Sequence, residues 1–167
     1  MNLNPAKYFL KRYHSADLQP NELKFMLNLW LPFIFNRVKI ENISDDFTHT
    51  KIKLIHSIWN RNPNKALWGG AIFSAADSFY PILLKQTALR SGIKTDFFTK
   101  STTVKYIREA KTDLTFNFKL SKNEIQNFLN TLKEEGKYQE WHTVDGIDIH
   151  GKKCIEVKIQ PYLRIRN

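Results

Sequence analysis

The residues best placed to do chemistry lie between Asn62 and Asp77, where a polar, turn-rich loop ends in the glycine pair Gly69-Gly70. A long apolar helix is predicted to begin at this pair, with Asp77 about two turns inside it. The first turn of a helix has backbone N–H groups without internal partners, and glycine lets a ligand approach them closely because it has no Cβ. Asp77 either caps a local group, faces water, or does chemistry as a base or a nucleophile.

This segment resembles the signature of the hotdog-fold thioesterases, in particular the phenylacetate-pathway type. Their motif has Asn, six residues, Gly-Gly and then an apolar run that ends in Ala-Ala-Asp, which corresponds here to Asn62, Gly69-Gly70 and Asp77. The continuation Asp-Ser-Phe-Tyr-Pro at 77–81 is more similar to a bacterial branch of hotdog proteins that is labelled a domain of unknown function. The order of elements fits this family over residues 36 to 160.

The resemblance implies an acyl-CoA thioesterase that is a dimer or tetramer, with its site between subunits. In such enzymes the loop of one subunit faces the acidic residue of the other, which implies that Asp77, Asn62, Gly69 and Gly70 are catalytic. Gly70 and Asp77 lie about 10 Å apart along a helix axis, so one helix cannot easily present both to the same carbonyl. No cofactor is expected, because coenzyme A enters as part of the thioester substrate.

Some positions depart from the family pattern. Trp68 stands where many phenylacetate-type thioesterases have His, and it either stacks on an aromatic acyl group or fills space. The family's Phe-Leu-Arg-Pro corresponds to Tyr106-Ile107-Arg108-Glu109, which makes Arg108, together with Lys111, a candidate contact for coenzyme A phosphates. Two aromatic residues of the predicted helix, Phe73 and Tyr80, complete the expected substrate contacts. The missing histidine favours an alternative, a non-catalytic hotdog protein that binds an acyl chain or coenzyme A or acts as a scaffold.

Composition places few limits on this interpretation. The chain has 167 residues, of which 42% are hydrophobic and 25% charged, and this predicts one domain over residues 1–167, with an N-terminal helical extension over 1–35 and a hotdog core over 36–160. The net charge of +10 favours anionic partners such as coenzyme A. Nucleic-acid binding is a second alternative, but it is not expected because the basic residues are spread along the chain without a recognised motif.

Cysteine and histidine usage favour a reduced setting without metal. Cys154 is the only cysteine, so no internal disulfide forms, and the lack of a recognisable leader adds to the expectation of a cytoplasmic protein. The five histidines are scattered, and no zinc or iron site is expected.

Two helices are predicted in the N-terminal extension, over residues 5–14 and from Pro20 to about Leu31, with Pro32 weakening the second. The apolar run at residues 25–35 is too short to span a bilayer. It packs on the domain or on a second subunit, or it lies on a membrane surface. The aromatic residues of this run, Phe25, Trp30, Phe33 and Phe35, are most simply explained as packing for these helices.

Alternation of apolar and polar residues predicts a β-hairpin from Val38 to Ile58, with its turn at Asp45-Asp46. The long helix should run from Gly70 to Gly92 with a kink near 77–81, because Pro81 removes one helical hydrogen bond. Further strands are expected at 97–98, 104–107, 114–120, 141–144 and 154–159, with a turn near Asp145-Gly146 or His150-Gly151.

The same patterns predict a capping box at Ser121 and Glu124 that opens a helix ending at Gly136. Periodicity gives an α+β protein with an antiparallel sheet. The resemblance implies the hotdog fold, in which that sheet wraps around one long central helix.

Overall fold

A computed structural model describes residues 11–166 of the chain. Its helices and strands alternate in the α+β order that the sequence predicts. In chain order they are α1 (Pro20–Asn28), α2 (Leu31–Asn36), β1 (Val38–Ile43), β2 (His49–Leu54), α3 (Gly69–Asp77), α4 (Phe79–Arg90), β3 (Thr95–Tyr106), β4 (Leu114–Lys119), α5 (Lys122–Glu135), β5 (Lys137–Tyr138), β6 (His142–Asp148) and β7 (Lys153–Ile165). Of the predicted helix at 5–14, residues 5–10 lie outside the described range, and residues 11–13 are helical.

The strands form one seven-stranded sheet in the order β1-β2-β4-β6-β7-β3, with the short β5 beside β7. All the pairings are antiparallel. The inner face of the sheet packs on the central helices, where the rings of Phe79 and Tyr80 each lie 5.2 Å from the ring of Phe118. The predicted architecture, an antiparallel sheet wrapped around a central helical segment with helices before it, is confirmed.

The central segment is divided into two consecutive helices that meet at Ser78. Pro81 has no N–H to donate to the carbonyl of Asp77, so the helical ladder is interrupted at the position where a kink is predicted. Along α4, the residues from Phe79 to Leu89 are all buried. Gly92 follows the helix with a φ of 77°, a conformation that favours glycine, and stops it as predicted.

The two edges of the sheet differ. At the β1 edge, the side-chain amide of Asn28 in α1 both accepts from the N–H of Ile40 at 2.8 Å and donates to its carbonyl at 3.1 Å. The chain therefore covers this edge itself. Strand β3 forms the other edge; within residues 11–166 it has β7 on one side and no strand on the other.

Several predicted boundaries are wrong. The second helix ends at Asn28, and Pro32 lies in the first turn of the separate helix α2, where proline is well tolerated. Strand β2 stops at Leu54, so Ile58 lies outside the hairpin. The two strands expected at 97–98 and 104–107 are one strand, β3, interrupted by a bulge between Thr99 and Ser101.

In the second half, the turn lies at His150-Gly151, and Gly146 is inside β6 against Phe116. The Ser121–Glu124 capping box forms as predicted, and Gly136 ends α5 with a φ of 72°. Over the described residues, none of the helices is both long and apolar enough to cross a bilayer.

Candidate functional site

The loop before α3 is held in a fixed turn by Asn62. Its Oδ1 accepts from the N–H of Ala66 at 3.1 Å, and its own N–H donates to the carbonyl of Ala66 at 2.8 Å. Lys65, inside this turn, has a φ of 60°. Next along the chain, the N–H of Leu67 donates to the carbonyl of Ala110 at 2.8 Å, which fastens the loop to the segment after β3. Asn62 thus shapes the turn, and within residues 11–166 its Nδ2 has no acceptor.

The glycine pair occupies the first turn of α3, as predicted. No acceptor for the N–H of Gly69 or of Gly70 is found in the described part of the chain, as expected for a helix start. A Cβ at either glycine would require a neighbouring side chain to move. A Cβ on Gly69 would lie 2.8 Å from Oη of Tyr106, and a Cβ on Gly70 would lie 2.4 Å from the ring of Trp68. The indole of Trp68 is therefore folded against the start of the helix.

A cleft of about 480 Å³, here named the loop cavity, opens beside this helix start. Asn62, Gly69, Tyr106 and Arg108 are among its lining residues. Arg108 is exposed at the end of β3, where its N–H donates to the carbonyl of Cys154 at 3.2 Å. Lys111 is not among the lining residues; it is exposed, and its Nζ lies 2.7 Å from Oε2 of Glu109.

Asp77 lies at the other end of α3 and is fastened to strand β3. Its Oδ1 accepts a hydrogen bond from the hydroxyl of Thr102 at 2.8 Å, and the hydroxyl of Thr99 donates to its backbone carbonyl at 3.3 Å. That carbonyl is the acceptor left free by Pro81, so a strand side chain replaces the missing helical bond. The carboxylate is half-buried, and within residues 11–166 its Oδ2 has no hydrogen-bond partner.

A second cleft, here named the Asp77 cavity, has a volume of about 390 Å³. Its walls are mostly apolar and come from three parts of the chain: α1 and the residues flanking it, the beginning of α4, and β3. Asp77, Ser78 and Thr99 are among its polar lining residues, and the apolar lining includes Leu27, Trp30, Pro81, Ile82 and Phe97. A mostly apolar cleft with a few polar lining groups is typical of a small-molecule site.

The two remaining aromatic candidates occupy different environments. Phe73 is 43% exposed on the outer side of α3. Tyr80 is buried, donates to the carbonyl of Thr143 at 2.8 Å and stacks on His142, with ring centroids 4.7 Å apart. Burial raises the pKa of Tyr80 to about 12. Tyr80 is not among the residues that line either cavity.

The sequence did not single out a buried lysine on α4. Nζ of Lys85 lies 2.6 Å from Nδ1 of His14 and 4.3 Å from the centroid of the Tyr13 ring. Desolvation, with a further contribution from the charge of Arg166, lowers the pKa of Lys85 to about 8. The residues of this cluster are distant in sequence, so no local pattern marks them. In the described residues there is no cluster of three or more potential metal ligands.

Strand β3 connects the two ends of the candidate site. Thr102 contacts Asp77, and Tyr106 contacts Gly69, with its hydroxyl 3.4 Å from the Gly69 carbonyl. Within one chain, the structure thus places Asp77 in one cavity and Asn62, Gly69 and Arg108 in another. Thr102 and Tyr106 were not anticipated, although their even spacing along an alternating strand is a signal that they share a face.

The chain belongs to the family described as domain of unknown function DUF4442, whose sequence model matches residues 22–163. This agrees with the resemblance of residues 77–81 to a branch of hotdog proteins that has this label. Among proteins with curated descriptions, no sequence matches the chain.

Solved structures show the fold. PA5026 of Pseudomonas aeruginosa, described as a protein of unknown function and probable thioesterase, matches with a TM-score of 0.73 and 19% identity, over 88% of this chain and 97% of that one. Thioesterase HI1161 of Haemophilus influenzae matches with a TM-score of 0.63 and 9% identity, over 87% and 90%. The PaaI protein of Escherichia coli, from the phenylacetic acid degradation operon, matches with a TM-score of 0.61 and 12% identity, over 88% of this chain and 93% of that one. The chain therefore has the hotdog fold.

Proposed function

We propose that this protein hydrolyses acyl-CoA thioesters at a site shared by two copies of the chain. The observation that carries the proposal is the position of Asp77, which lines a mostly apolar cavity; Thr102 holds one oxygen of its carboxylate, and the other has no hydrogen-bond partner within residues 11–166. The thioesterase descriptions of the structural neighbours support the same reaction class.

The reaction requires a polarised carbonyl, a nucleophile and a protonated leaving group. The N–H groups of Gly69 and Gly70 lie at a helix start, where they are suited to donate to the carbonyl oxygen, and one such donor contributes about 2.7–4 kcal/mol to catalysis. Asp77 takes a proton from water, whose oxygen bonds to the carbonyl carbon. When the C–S bond breaks, the proton goes to the coenzyme A sulfur, which leaves a carboxylic acid and a thiol. Direct attack by Asp77 is the alternative first step.

One chain does not bring these groups together. Gly69 and Asp77 are separated by about 12 Å along α3 and open into different cavities. A second copy is needed, and the open edge of β3 is suited to receive it, because an unpaired edge strand is a template for another chain. The other edge is already covered by Asn28 of α1.

The contacts of β3 support one register for the proposed pairing. Thr102 contacts Asp77 and Tyr106 contacts Gly69, and both strand residues lie on the same face of β3. In a two-fold antiparallel pair with Val104 opposite Val104, Thr102 of one copy lies opposite Tyr106 of the other, with Cβ atoms about 5 Å apart. Asp77 of one copy then approaches Gly69 of the other, and two equivalent sites result.

The loop cavity then receives the coenzyme A part of the substrate, with Arg108 as a phosphate contact and Asn62 as a donor through Nδ2. The Asp77 cavity receives the acyl group, whose apolar body fits its walls. Lys111 is exposed three residues beyond Arg108, and we include it as a further phosphate contact in this proposal.

The first experiment measures thiol release from coenzyme A thioesters of short-chain, long-chain and aromatic acids. We expect turnover by the wild type and loss of turnover in Asp77→Ala. Equal rates for the two proteins, or no turnover by either, would refute the enzymatic function.

A complementation experiment tests whether the site is shared. Asp77→Ala and Gly70→Val each disable both sites of a homodimer. In a mixed dimer, the intact glycine of the first chain faces the intact Asp77 of the second, so one of the two sites is restored. Mixing the two inactive proteins after partial denaturation and refolding should therefore recover activity. If activity stays absent although mixed dimers form, the site does not combine these residues from two chains.

Cross-linking tests the register. Val104→Cys should form a disulfide-linked dimer on oxidation, because the two copies of this position face each other in the proposed pair. Thr103→Cys is the matched control, since its side chain points to the other face of the strand and the two copies are not opposite. Cys154 is buried and does not contribute.

The position of Trp68 favours a second candidate, a non-catalytic protein that binds acyl-CoA. Its indole lies against Gly70 and covers part of the helix start. Calorimetry with a non-hydrolysable acyl-CoA analogue distinguishes the two: binding by a wild type that shows no turnover supports the second candidate.

A further inference from the structure

The N-terminal helices and the loop after β2 expose an unusual amount of apolar surface. Eight of the fifteen large apolar side chains that are exposed in residues 11–166 lie in the N-terminal helices with their junction or at residues 58–59, near the beginning of the loop after β2, with exposed fractions of 42–83%. We name this set the aromatic face: Phe25, Leu29, Trp30, Leu31, Ile34, Phe35, Ile58 and Trp59. The prediction that the aromatic residues of 25–35 are packing is thus correct for Phe33, which is 2% exposed, and wrong for Phe25 and Phe35, which are 65% and 73% exposed. Trp30 is 43% exposed and packs on the ring of Phe33.

The two segments of the aromatic face are fastened together. The side-chain amide of Asn60 donates to the carbonyl of Asn36, at the end of α2, at 3.0 Å and to that of Ile55 at 2.9 Å. Its Oδ1 accepts from the N–H of Ser57 at 2.9 Å. These bonds hold the loop that carries Ile58 and Trp59 beside the end of α2. The apolar side chains are therefore presented by an ordered surface.

Charges on the same two segments are mostly basic. Residues 20–37 contain Lys24 and Arg37 against one acid, Glu22, which is already paired with Arg12 at 2.5 Å. Residues 57–70 contain Arg61 and Lys65 and no acid. The whole chain has a net charge of +10.

We propose that the aromatic face binds the surface of an anionic lipid bilayer. Exposed tryptophan and phenylalanine side chains insert at the boundary between headgroups and acyl chains, and lysine and arginine near them attract anionic headgroups, each contributing about 1 kcal/mol. A second copy of the chain is a poorer occupant. A two-fold contact through this face brings the same basic residues together, and this repulsion is absent on an anionic bilayer.

The aromatic face also adjoins the proposed acyl site. Trp30 belongs to the face and, with Leu27, lines the Asp77 cavity. If the proposed function holds, an acyl chain dissolved in the bilayer reaches Asp77 without crossing water. This consequence rests on the proposed function, whereas membrane binding itself does not.

The test is co-flotation of the intact protein with vesicles of phosphatidylcholine alone or mixed with phosphatidylglycerol, without any thioester present. We expect binding to the mixed vesicles and weak binding to the neutral ones. The double variant Phe35→Ser, Trp59→Ser should lower the partition coefficient at least about tenfold, because two large apolar side chains no longer insert. The matched control is Ile149→Ser, Trp141→Ser, which removes another exposed aliphatic or aromatic pair elsewhere on the chain and should bind as the wild type does.

The contribution of charge to vesicle binding is tested with two matched double variants. Lys24→Glu, Arg61→Glu should weaken binding to the mixed vesicles more than Lys122→Glu, Lys158→Glu, although both change the net charge equally. Absence of wild-type binding at low salt overturns the proposal, and so does equal loss of vesicle binding in the two charge variants.

If the Phe35→Ser, Trp59→Ser variant instead lowers the oligomer mass in light scattering and leaves vesicle binding unchanged, the aromatic face is a contact between copies of the chain. Failure of thioester hydrolysis with intact vesicle binding refutes only the proposed function.

Discussion

Asp77 and Lys85 are charged residues of the central helices, eight positions apart, but their surroundings are opposite. Asp77 is half-buried, borders an apolar cavity and accepts a hydrogen bond from the neutral hydroxyl of Thr102. Lys85 is fully buried, with Nζ against the imidazole of His14 and over two aromatic rings. Lys85 is not among the residues that line the loop cavity or the Asp77 cavity.

This comparison shows that access separates a group suited to chemistry from a charged group that serves the fold. One oxygen of the Asp77 carboxylate has no hydrogen-bond partner within residues 11–166. The ammonium of Lys85, in contrast, is removed from water and contacts an imidazole and two aromatic rings. The free-energy cost of this desolvation is reflected in the lowered pKa of Lys85. Activity should therefore depend on Asp77, and stability and its pH dependence should depend on Lys85.

Replacing Asp77 should have the largest effect. In Asp77→Asn the hydroxyl of Thr102 still donates to an oxygen, so the fold is kept, but the proton acceptor is lost. We expect thioester turnover to fall by about 10²–10⁴-fold, with the thermal unfolding midpoint nearly unchanged. Steady-state kinetics and calorimetric melts measure the two effects. Lys85→Met should retain turnover, because Lys85 is expected to affect stability and not activity. A loss of turnover as large as that of Asp77→Asn would contradict this difference between the two residues.

Replacing Lys85 should change stability with a defined pH dependence. Its pKa falls from 10.5 to about 8 on folding, so between these values the unfolded chain binds more protons than the folded one. The free energy of unfolding of the wild type therefore increases as pH rises from about 8 to 10.5. Below about pH 8, burial of the charged ammonium destabilises the folded chain.

The variant Lys85→Met should remove this penalty. We expect its free energy of unfolding to exceed that of the wild type by about 1–3 kcal/mol near neutral pH, with the difference shrinking as pH rises from 8 towards 10.5. His14 is exposed and can bond to water instead. Urea melts across pH measure the difference, and Lys122→Met, at an exposed lysine, should show none of it. A variant less stable than the wild type throughout would mean that the contacts of Lys85 outweigh its desolvation.

Local patterns predicted the helix start at Gly69-Gly70, the position of Asp77 within the helix and the interruption near Pro81. Each of these depends on residues that are close in sequence. The bulge between Thr99 and Ser101 explains why β3 was predicted as two pieces. Residues 95, 97 and 99 lie on one face of the strand before the bulge, and residues 102, 104 and 106 continue that face after it, so simple alternation fails across the whole strand.

The partners of the candidate site were not predictable in the same way. Thr102 meets Asp77 only because helix α3 packs along β3 at one particular offset, which long-range contacts fix. The Asp77 cavity likewise depends on Trp30 and Leu27, which come from helices that the sequence treats as a separate extension. The contact between Lys85 and His14 joins residues 71 positions apart, and no periodic pattern carries that information.

The hydrogen bond from Thr102 to Asp77 should have an intermediate effect on activity. Thr102→Val removes the hydroxyl but keeps the shape of the side chain, so the carboxylate loses the group that orients it. We expect kcat/KM to fall by about tenfold, which corresponds to a hydrogen bond to a charged group. Thr103→Val, on the exposed face of the same strand, is the matched control and should be as active as the wild type. Equal activity of both variants would show that Thr102 does not position Asp77.

The smallest effect should come from Thr99, whose hydroxyl donates to the backbone carbonyl of Asp77 at 3.3 Å. Thr99→Val leaves that carbonyl without a donor, and we expect a loss of about 0.5–1 kcal/mol in the free energy of unfolding. The cause can be isolated in a Pro81→Ala background, where residue 81 regains an N–H that can bond to the same carbonyl. There, Thr99→Val should cost almost nothing, and a double-mutant cycle in urea measures the difference. An equal cost in both backgrounds would mean that the hydroxyl of Thr99 does not replace the helical bond that Pro81 removes.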